Sequence, residues 1–131
     1  MRVLFSGRFD PIHVGHWSSA LKLLKIFGEV TVVILDYKGR KFPAKKILRD
    51  FTALRMLSGI NPRDLKIVIN KTHFAKITIK EWEKFDCDIY AGGNQEVNDH
   101  MTDLGIPVYE QERSLGYSAR NYRKEKTMNG A

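Results

Sequence analysis

The stretch Ser6-Gly-Arg-Phe-Asp-Pro-Ile-His-Val-Gly-His16 follows a short apolar run and precedes a segment of helical period. It therefore joins a predicted first strand to a predicted first helix. In an open parallel α/β sheet, ligands bind at such a junction, because the crevice at the carboxyl ends of the strands faces the unpaired N–H groups of the next helix. Gly7 permits a tight turn there, and Gly15 lets the backbone approach a phosphate closely. The stretch thus indicates both the fold and the place of its site.

His13 and His16 are three residues apart within this stretch. If the first helix begins near His13, both imidazoles lie on one face of its first turn, close to the positive end of the helix dipole. Two hydrogen-bond donors directed at one anion suit phosphoryl or nucleotidyl transfer, in which negative charge grows on the phosphates. The alternative for any pair of this spacing is that the histidines only cap the helix.

Apolar runs of strand length alternate with segments of helical period along the whole chain. This alternation predicts an α/β fold of Rossmann-like type, a three-layer sandwich with a five-stranded parallel sheet. The chain has 131 residues, which predicts one domain over residues 1–131. The predicted strands are Val3 to Ser6, Val30 to Leu35, Lys66 to Ile69, Asp88 to Ala91 and Val108 to Tyr109.

The helical segments have signals of different strength. The first ends at Gly28, a typical glycine C-cap, and a second is expected from Ile47 to Leu57. Between them, Tyr37 to Lys46 is rich in basic residues and contains Gly39 and Pro43, which predicts an exposed loop with solvated Lys38, Arg40 and Lys41. Weaker helical patterns cover Ile77 to Phe85 and Gln95 to Leu104, and a last helix is expected from Ser118 to Lys126.

Charge and cysteine content restrict the classes of partner and compartment. There are 22 Lys and Arg against 15 Asp and Glu, a formal net charge of +7, which favours an anionic partner. Cys87 is the single cysteine, so it forms no internal disulfide and is expected to be a small buried apolar group. The start of the chain has no secretory h-region and no stretch reaches the ~20 apolar residues of a membrane span. A cytoplasmic protein without a membrane span is therefore expected.

The string G-R-F-D-P-I-H-V-G-H, from Gly7 to His16, resembles the G-T-F-D-x-x-H-x-G-H motif of the cytidylyltransferase branch of the HxGH nucleotidyltransferase superfamily. Arg8 stands where that motif has threonine. A second segment, Arg113-Ser-Leu-Gly-Tyr-Ser-Ala-Arg120, is similar to the family's R-T-E-G-I-S-T-T signature, which contacts the triphosphate. Arg113, Gly116 and Ser118 match it. Guanidinium groups there suit bidentate phosphate contacts.

The resemblance implies catalytic and binding roles for particular residues. Its catalytic set is His13, His16, Lys46 and Arg113. Its nucleotide-binding set is Ser6, Gly7, Arg8, Phe9, Asp10, Gly15, Gly93, Asn94, Tyr117, Ser118 and Arg120. A weaker acceptor-binding set is Trp17, Lys45, Arg55 and Arg123. The alternative for Trp17, as for Trp82, is a position in the core, and the alternative for Arg55 is a surface ion pair.

Individual residues of these sets have more specific expectations. Lys45 and Lys46 resemble lysines of a mobile loop before the second helix, and Asp10 either orients a histidine or caps the loop. His73 and His100 are expected at the surface.

Departures from the family pattern leave the base open. Leu115 replaces a glutamate, and Ala91-Gly-Gly-Asn-Gln95 replaces a G-D-D-W segment, with Asn94 in place of an acid. In another register, Tyr117 to Arg123 is similar to the I-S-x-T-x-x-R motif of adenylyltransferase relatives. The substitutions also leave open a degenerate relative that binds nucleotide without catalysis.

The resemblance implies transfer of a cytidylyl group from CTP to a small phosphorylated alcohol, of the glycerol 3-phosphate or phosphocholine type, with release of pyrophosphate. The alternative is an adenylyltransferase that uses ATP, with an acceptor of the nicotinamide mononucleotide or phosphopantetheine type. The family implies Mg²⁺ carried mainly by the nucleotide phosphates with few protein ligands, and a homodimer. A basic nucleic-acid-binding module is a hypothesis of another class, but the usual motifs are missing, so no nucleic-acid partner is expected.

Overall fold

The computed structural model of the chain describes residues 1–111. The strands are β1 (Arg2–Gly7), β2 (Glu29–Leu35), β3 (Leu65–Asn70), β4 (Ile89–Gly92) and β5 (Val108–Glu110). The helices are α1 (Val14–Phe27), α2 (Ala44–Leu57), α3 (Ile79–Glu83) and α4 (Gln95–Asp103), with one 3-10 turn at Phe74–Lys76. The helix expected from Ser118 to Lys126 lies outside the described residues.

The strands form a five-stranded sheet in the order β3-β2-β1-β4-β5, and all neighbouring strands are parallel. In the centre, Val3 of β1 pairs with Val30 of β2 on one side and with Ile89 of β4 on the other. The chain extends the sheet from β1 to β3 in one direction and then returns to add β4 on the opposite side of β1. The strand order therefore reverses between β1 and β4, where such sheets bind ligands.

Two hydrophobic cores cover the two faces of the sheet, which confirms the three-layer sandwich. On one face, Leu23 of α1 and Phe51 of α2 pack against strand residues such as Val32. On the other face, Trp82 of α3 and Met101 of α4 form the second core. Since alternate residues of a strand point to opposite faces, the continuous apolar run of β2 supplies both cores.

For the strands and for the first and fourth helices, most of the predicted end residues lie within two residues of the observed ones. The other two helices differ. Helix α2 begins at Ala44 rather than Ile47, directly after Pro43, which takes the N-cap position with the φ of −58° that its ring imposes. The pattern over Ile77 to Phe85 is shorter than expected. A 3-10 turn precedes it, and Thr78 starts α3 by exchanging hydrogen bonds with Glu81 as a capping box. Within residues 1–111, no helix is both long and apolar enough to cross a membrane.

Candidate functional site

The loop after β1 is shaped by a buried aromatic residue. Phe9 has a positive φ of 50° and is only 3% exposed. Its ring lies so close to Gly7 that a Cβ atom there would be 2.9 Å from two ring carbons, which explains the glycine. The same ring contacts the His16 ring edge-on, with centroids 4.9 Å apart. Phe9 was predicted to bind nucleotide, and its observed contacts make it a support beneath His16.

His13 and His16 cap α1 for each other. His13 is the N-cap, and its Nδ1 accepts hydrogen bonds from the backbone N–H groups of Gly15 (3.0 Å) and His16 (3.4 Å). In return, Nδ1 of His16 accepts from the backbone N–H of His13 at 3.1 Å. The two rings stack with centroids 3.5 Å apart. The capping alternative is therefore realised, and it uses only one nitrogen of each ring.

The caps determine where each imidazole carries its proton. Because both Nδ1 atoms accept hydrogen bonds, the neutral rings carry hydrogen on Nε2, so both Nε2 atoms are donors. Nε2 of His13 is buried and has no hydrogen-bond partner among the described residues. Burial lowers the pKa of His13, and burial together with the charge of His13 lowers the pKa of His16 to about 3. At neutral pH the helix start thus presents two uncharged N–H donors.

A cavity of about 680 Å³ adjoins this helix start. The β1–α1 loop lines it with Arg8, Phe9, Asp10, Pro11 and His16, and the β2–α2 loop lines it with Gly39, Lys41 and Phe42. Its cationic side chains, Arg8 and Lys41, outnumber its one carboxylate, Asp10. A cavity of this size with a cationic lining and neutral donors fits a phosphate chain.

Asp10 fastens one loop to the other. Its two carboxylate oxygens accept hydrogen bonds of 2.7 Å from the backbone N–H groups of Lys41 and Phe42. Burial on its own would raise the pKa of Asp10, but these hydrogen bonds and the charges of Arg40 and Arg8 outweigh it and lower that pKa below its ordinary value. Of the two predicted roles for Asp10, the structure shows the loop cap rather than a contact with histidine.

Arg40 is a correction to the sequence prediction, because it is not a solvated surface residue. Its Nη1 donates to the carbonyls of Arg8 and Leu35, both at 2.7 Å, and its Nε donates to the carbonyl of Phe42 at 2.9 Å. The half-buried guanidinium therefore connects the end of β2 to both loops. Backbone carbonyls accept from Nη1 and Nε, whereas Nη2 is buried and has no hydrogen-bond partner among residues 1–111.

Arg8 also contacts the second loop. Its guanidinium lies 4.5 Å above the centre of the Tyr37 ring, and Nη2 donates to the carbonyl of Lys38 at 3.2 Å. A threonine in this position is too short for either contact. The departure of this chain from the family motif at Arg8 thus has a structural counterpart in the neighbouring loop.

Lys45 and Lys46 do not lie in a loop, which corrects the prediction. Both belong to the first turn of α2, because the helix begins at Ala44. Nζ of Lys46 forms an ion pair of 2.9 Å with Asp50 and lies 5.7 Å from the centre of the Phe42 ring. Lys46 therefore stands at the side of the cavity that Phe42 lines, with its ammonium engaged by a carboxylate of its own helix.

The β4–α4 junction lies across the switch point from the histidines. Gly93 is exposed there, and Asn94 is the N-cap of α4, accepting from the backbone N–H groups of Glu96 and Val97 at 2.9 and 3.4 Å. Gly93 helps to line a second cavity of about 290 Å³, whose other lining residues are Gly92, Gln95, Asn98, Glu110 and Gln111. In place of the family's acids, this junction offers amide groups and one carboxylate.

Two separate side-chain hydrogen bonds lie near this junction. The Ser6 hydroxyl hydrogen-bonds that of Tyr90 at 2.9 Å, and burial raises the pKa of Tyr90 to about 12, although the bond to Ser6 lowers it. Asn98 is 4% exposed and donates to the carbonyl of Gly92 at 3.0 Å. Ser6, predicted to bind nucleotide, thus has a hydrogen-bond partner inside the protein.

The remaining predicted residues are placed as follows. Gly15 lies buried in the first turn of α1, and Trp17 is half-buried against the first core near Phe51, as its core alternative predicted. Arg55 donates to the carbonyl of Leu65 at 3.0 Å, at the amino end of β3. It is not among the residues that line the large cavity, and its acceptor-binding role stays a prediction.

The predictions of burial for two further side chains and of exposure for two histidines had mixed outcomes. Trp82 is buried as predicted, and Cys87 is half-buried with a pKa raised by burial. His73 and His100 were expected at the surface, but both are half-buried. His73 caps the 3-10 turn through Ala75, and His100 hydrogen-bonds the carbonyl of Ile77. Predicted residues outside the described part of the chain are Arg113, Tyr117, Ser118, Arg120 and Arg123.

Sequence reasoning missed three residues of this region, Arg40, Tyr90 and Asn98. Asn98 could have been found, because it occupies a helix position between the apolar Val97 and Met101, and a polar residue among core positions needs a partner. Arg40 gave no such signal, since its partners are backbone carbonyls.

About half of this chain is similar to a known enzyme. A segment of 65 residues, 47% of this chain, is 37% identical to phosphopantetheine adenylyltransferase of Parasynechococcus marenigrum (strain WH8102). The match spans only 39% of that relative's length.

Two solved structures share the fold. One is a lipopolysaccharide core biosynthesis protein from Thermoplasma volcanium GSS1, with a TM-score of 0.53 and 23% identity over 82% of this chain and 91% of that one. The other is a protein from the universal stress protein family from Burkholderia pseudomallei, with a TM-score of 0.54 and 10% identity over 82% and 92% of the two chains. At these identities, the likeness shows the fold alone.

The family comparison covers nearly the whole sequence, including both motif segments. Residues 4–124 match the family described as Cytidylyltransferase-like. Together with the parallel sheet and the paired histidines at its switch point, this match shows that the chain belongs to the cytidylyltransferase-like family.

Proposed function

We propose that this protein is a nucleotidyltransferase, which joins a nucleoside monophosphate unit from a nucleoside triphosphate to a small phosphorylated acceptor. The observation that carries the proposal is the pair of uncharged Nε2–H donors of His13 and His16, held by reciprocal caps. His16 lines the cationic cavity, and the buried His13 ring is stacked on it. Family membership supports the same reaction class.

In the proposed reaction, an oxygen of the acceptor phosphate attacks the α-phosphorus of the nucleotide. A new P–O bond forms as the bond from the α-phosphorus to the bridging oxygen breaks, and pyrophosphate leaves with the electron pair. His13 and His16 donate hydrogen bonds to phosphate oxygens on which negative charge grows, and they keep their protons throughout. Donors that are already fixed by the protein cost no reorganisation in the transition state.

The described residues do not form a protein-held magnesium site. Among residues 1–111, Asp10 is the one carboxylate that lines the large cavity, and backbone N–H groups donate to both of its oxygens. Within residues 1–111, no three His, Cys, Asp or Glu side chains are grouped to hold a metal ion. A magnesium ion used in the reaction would therefore need phosphate oxygens of the nucleotide as its ligands.

We further propose CTP as the nucleotide and a phosphorylated alcohol, of the glycerol 3-phosphate or phosphocholine type, as the acceptor. The G-R-F-D-P-I-H-V-G-H string, which resembles the cytidylyltransferase motif, supports this choice. A second candidate is adenylyl transfer from ATP to an acceptor of the phosphopantetheine type. It is favoured by the 37% identity to a phosphopantetheine adenylyltransferase.

A nucleotide panel tests the proposal and separates the two candidates. The melting temperature is measured with CTP, ATP, GTP or UTP, each with magnesium, because a ligand at 100 times its Kd stabilises the folded state by about 2.7 kcal/mol. Pyrophosphate release is then measured with glycerol 3-phosphate, phosphocholine and 4′-phosphopantetheine. Release with CTP supports cytidylyl transfer, and release with ATP alone supports the second candidate. Binding without release under every pairing would contradict catalysis.

A further inference from the structure

We infer that Arg40 is a positioning residue of the proposed nucleotide site, which, with Asp10 and Arg8, holds the β2–α2 loop as a preformed wall of the large cavity. This inference rests on the proposed function, and it goes beyond it by assigning a role to a residue outside both family motifs. The three side chains are called the loop clasp below.

The contacts of Arg40 carry the first step. Its guanidinium reaches a carbonyl 32 residues earlier in the chain, that of Arg8, and a carbonyl five residues earlier, that of Leu35. Both distances are 2.7 Å, and Nε also holds the carbonyl of Phe42. A planar fork with fixed donor directions is needed to serve three carbonyls from three segments. Arg40 therefore fixes the loop relative to the end of β2 and to the loop after β1.

The other two members of the clasp hold the same loop on either side of Arg40. Arg8 stacks on Tyr37 and donates to the carbonyl of Lys38, while Asp10 accepts from the N–H groups of Lys41 and Phe42. The tethers thus span the loop from its first residues to its last. Asp10 and Arg40 are oppositely charged neighbours, and each is bound to backbone groups of the loop. Nη2 of Arg40 is buried and has no hydrogen-bond partner among residues 1–111.

The position of the clasp connects it to substrate binding. The cavity is lined by both of the loops that the clasp joins, with His16 on one side and Gly39, Lys41 and Phe42 on the other. The clasp therefore sets the width of the cavity. A loop already held in place does not have to be ordered when substrate binds, so its contribution appears in affinity rather than in the chemical step.

The test compares Arg40→Ala with Lys38→Ala, which removes the same charge from an exposed residue of the same loop. Hydrogen exchange is measured at the Lys41 and Phe42 amides, and KM and kcat are measured by pyrophosphate release. In Arg40→Ala, three hydrogen bonds of the loop are lost, so we expect exchange at both amides and KM for the nucleotide to rise about tenfold or more, with kcat much less affected. Lys38→Ala should resemble the unmodified protein.

Arg40→Lys keeps the charge without the fork, so its exchange rates and KM should lie between those of the unmodified protein and Arg40→Ala. It also decides the matter if Arg40→Ala does not fold. The inference would be overturned if either variant, Arg40→Lys or Arg40→Ala, had the same exchange rates and the same KM as the unmodified protein. So would a fall in kcat with KM unchanged. If the unmodified protein releases no pyrophosphate with any nucleotide, the proposed function and the positioning role fail together, whereas unchanged exchange with an active enzyme rejects the clasp alone.

Discussion

His13 shows how one residue combines a structural and a chemical duty by dividing them between its ring nitrogens. Nδ1 caps α1, and Nε2 is the buried donor without a partner among residues 1–111. The histidine spacing predicts a shared helix face, but it does not predict this division, because either nitrogen of an imidazole can accept.

The two duties of His13 can be separated by mutation. His13→Asn keeps a side-chain oxygen in the capping position but removes the Nε2 donor, so we expect turnover to fall by a factor of ~10² to 10³. Unfolding by urea should be nearly unchanged. His13→Ala removes the cap as well and should lose about 1 kcal/mol of stability in addition. If His13→Asn turned over at the normal rate, the cap would be the whole role of this histidine.

Arg40 and Lys38 show the limit of residue-by-residue reasoning. They lie two positions apart in the same basic loop, and nothing in their surroundings along the chain distinguishes them. The difference arises in three dimensions, since Arg40 binds carbonyls of other segments while Lys38 is exposed. Carbonyl groups are common to all residues, so a sequence does not reveal which of them need a donor.

The elements themselves follow closely from the sequence. Strand β2 is an uninterrupted apolar run because both of its faces are buried, and α1 ends at Gly28 with φ 86°, a left-handed cap that favours glycine. Apolar periodicity predicts that α2 starts at Ile47. The helix starts at Ala44, directly after Pro43 at the N-cap. Side-chain caps and proline thus define helix ends more closely than periodicity does.

The junction between β1 and α1 gives a prediction at this scale. In Gly7→Ala, the new Cβ would lie 2.9 Å from the Phe9 ring, which must shift, and His16 rests on that ring. We expect a loss of about 1–3 kcal/mol in unfolding free energy, as for other overpacked sites, together with a clear fall in turnover. Urea unfolding and pyrophosphate release measure the two effects.

Gly105→Ala is the matched control for this glycine. Gly105 has φ 80° and no atom within 4 Å of an added Cβ, so its substitution costs about 1–2 kcal/mol through the backbone alone. Turnover per folded molecule should then stay normal. An equal loss of turnover in both variants would mean that general destabilisation, and not the position of Phe9, accounts for the effect of Gly7→Ala.

For the whole molecule, the fold could be predicted because a parallel sheet buried on both faces leaves a strong apolar signal in each strand. The way in which the loops meet at the switch point could not be predicted, because it depends on side chains that bind backbone groups distant in the sequence.

His16 links the site to the stability of the whole protein. It is half-buried, neutral, stacked on His13 and supported by Phe9, so any protonation of its ring opposes the folded state.

Acid should therefore destabilise the whole protein well above the range in which carboxylates titrate. The pKa of His16 is about 3 in the folded state against an ordinary value of 6.5. Between these values, the unfolded chain binds a proton that the folded chain excludes, so stability is complete above pH 6.5 and declines as the pH falls toward 3. The slope from this one group approaches 1.4 kcal/mol per pH unit, to order of magnitude.

Urea unfolding of the protein at pH 7.5, 6, 5 and 4.5 measures this decline, and His16→Asn supplies the comparison. The variant has no imidazole to titrate at this position, so its stability should fall less steeply over the same range, with the lowered pKa of His13 accounting for part of the remaining slope. The lowered pKa of Asp10 acts in the same direction but only near and below its ordinary value of 3.8. Glu81, whose pKa is lowered from 4.5 by hydrogen bonds from Thr78, acts in the same direction around pH 4.5. The decline between pH 7.5 and pH 5 therefore reports mainly the histidines. Parallel curves for the two proteins would show that the folded state accepts a proton on His16 as readily as the unfolded chain does, and the helix start would then present a cation below about pH 6.5.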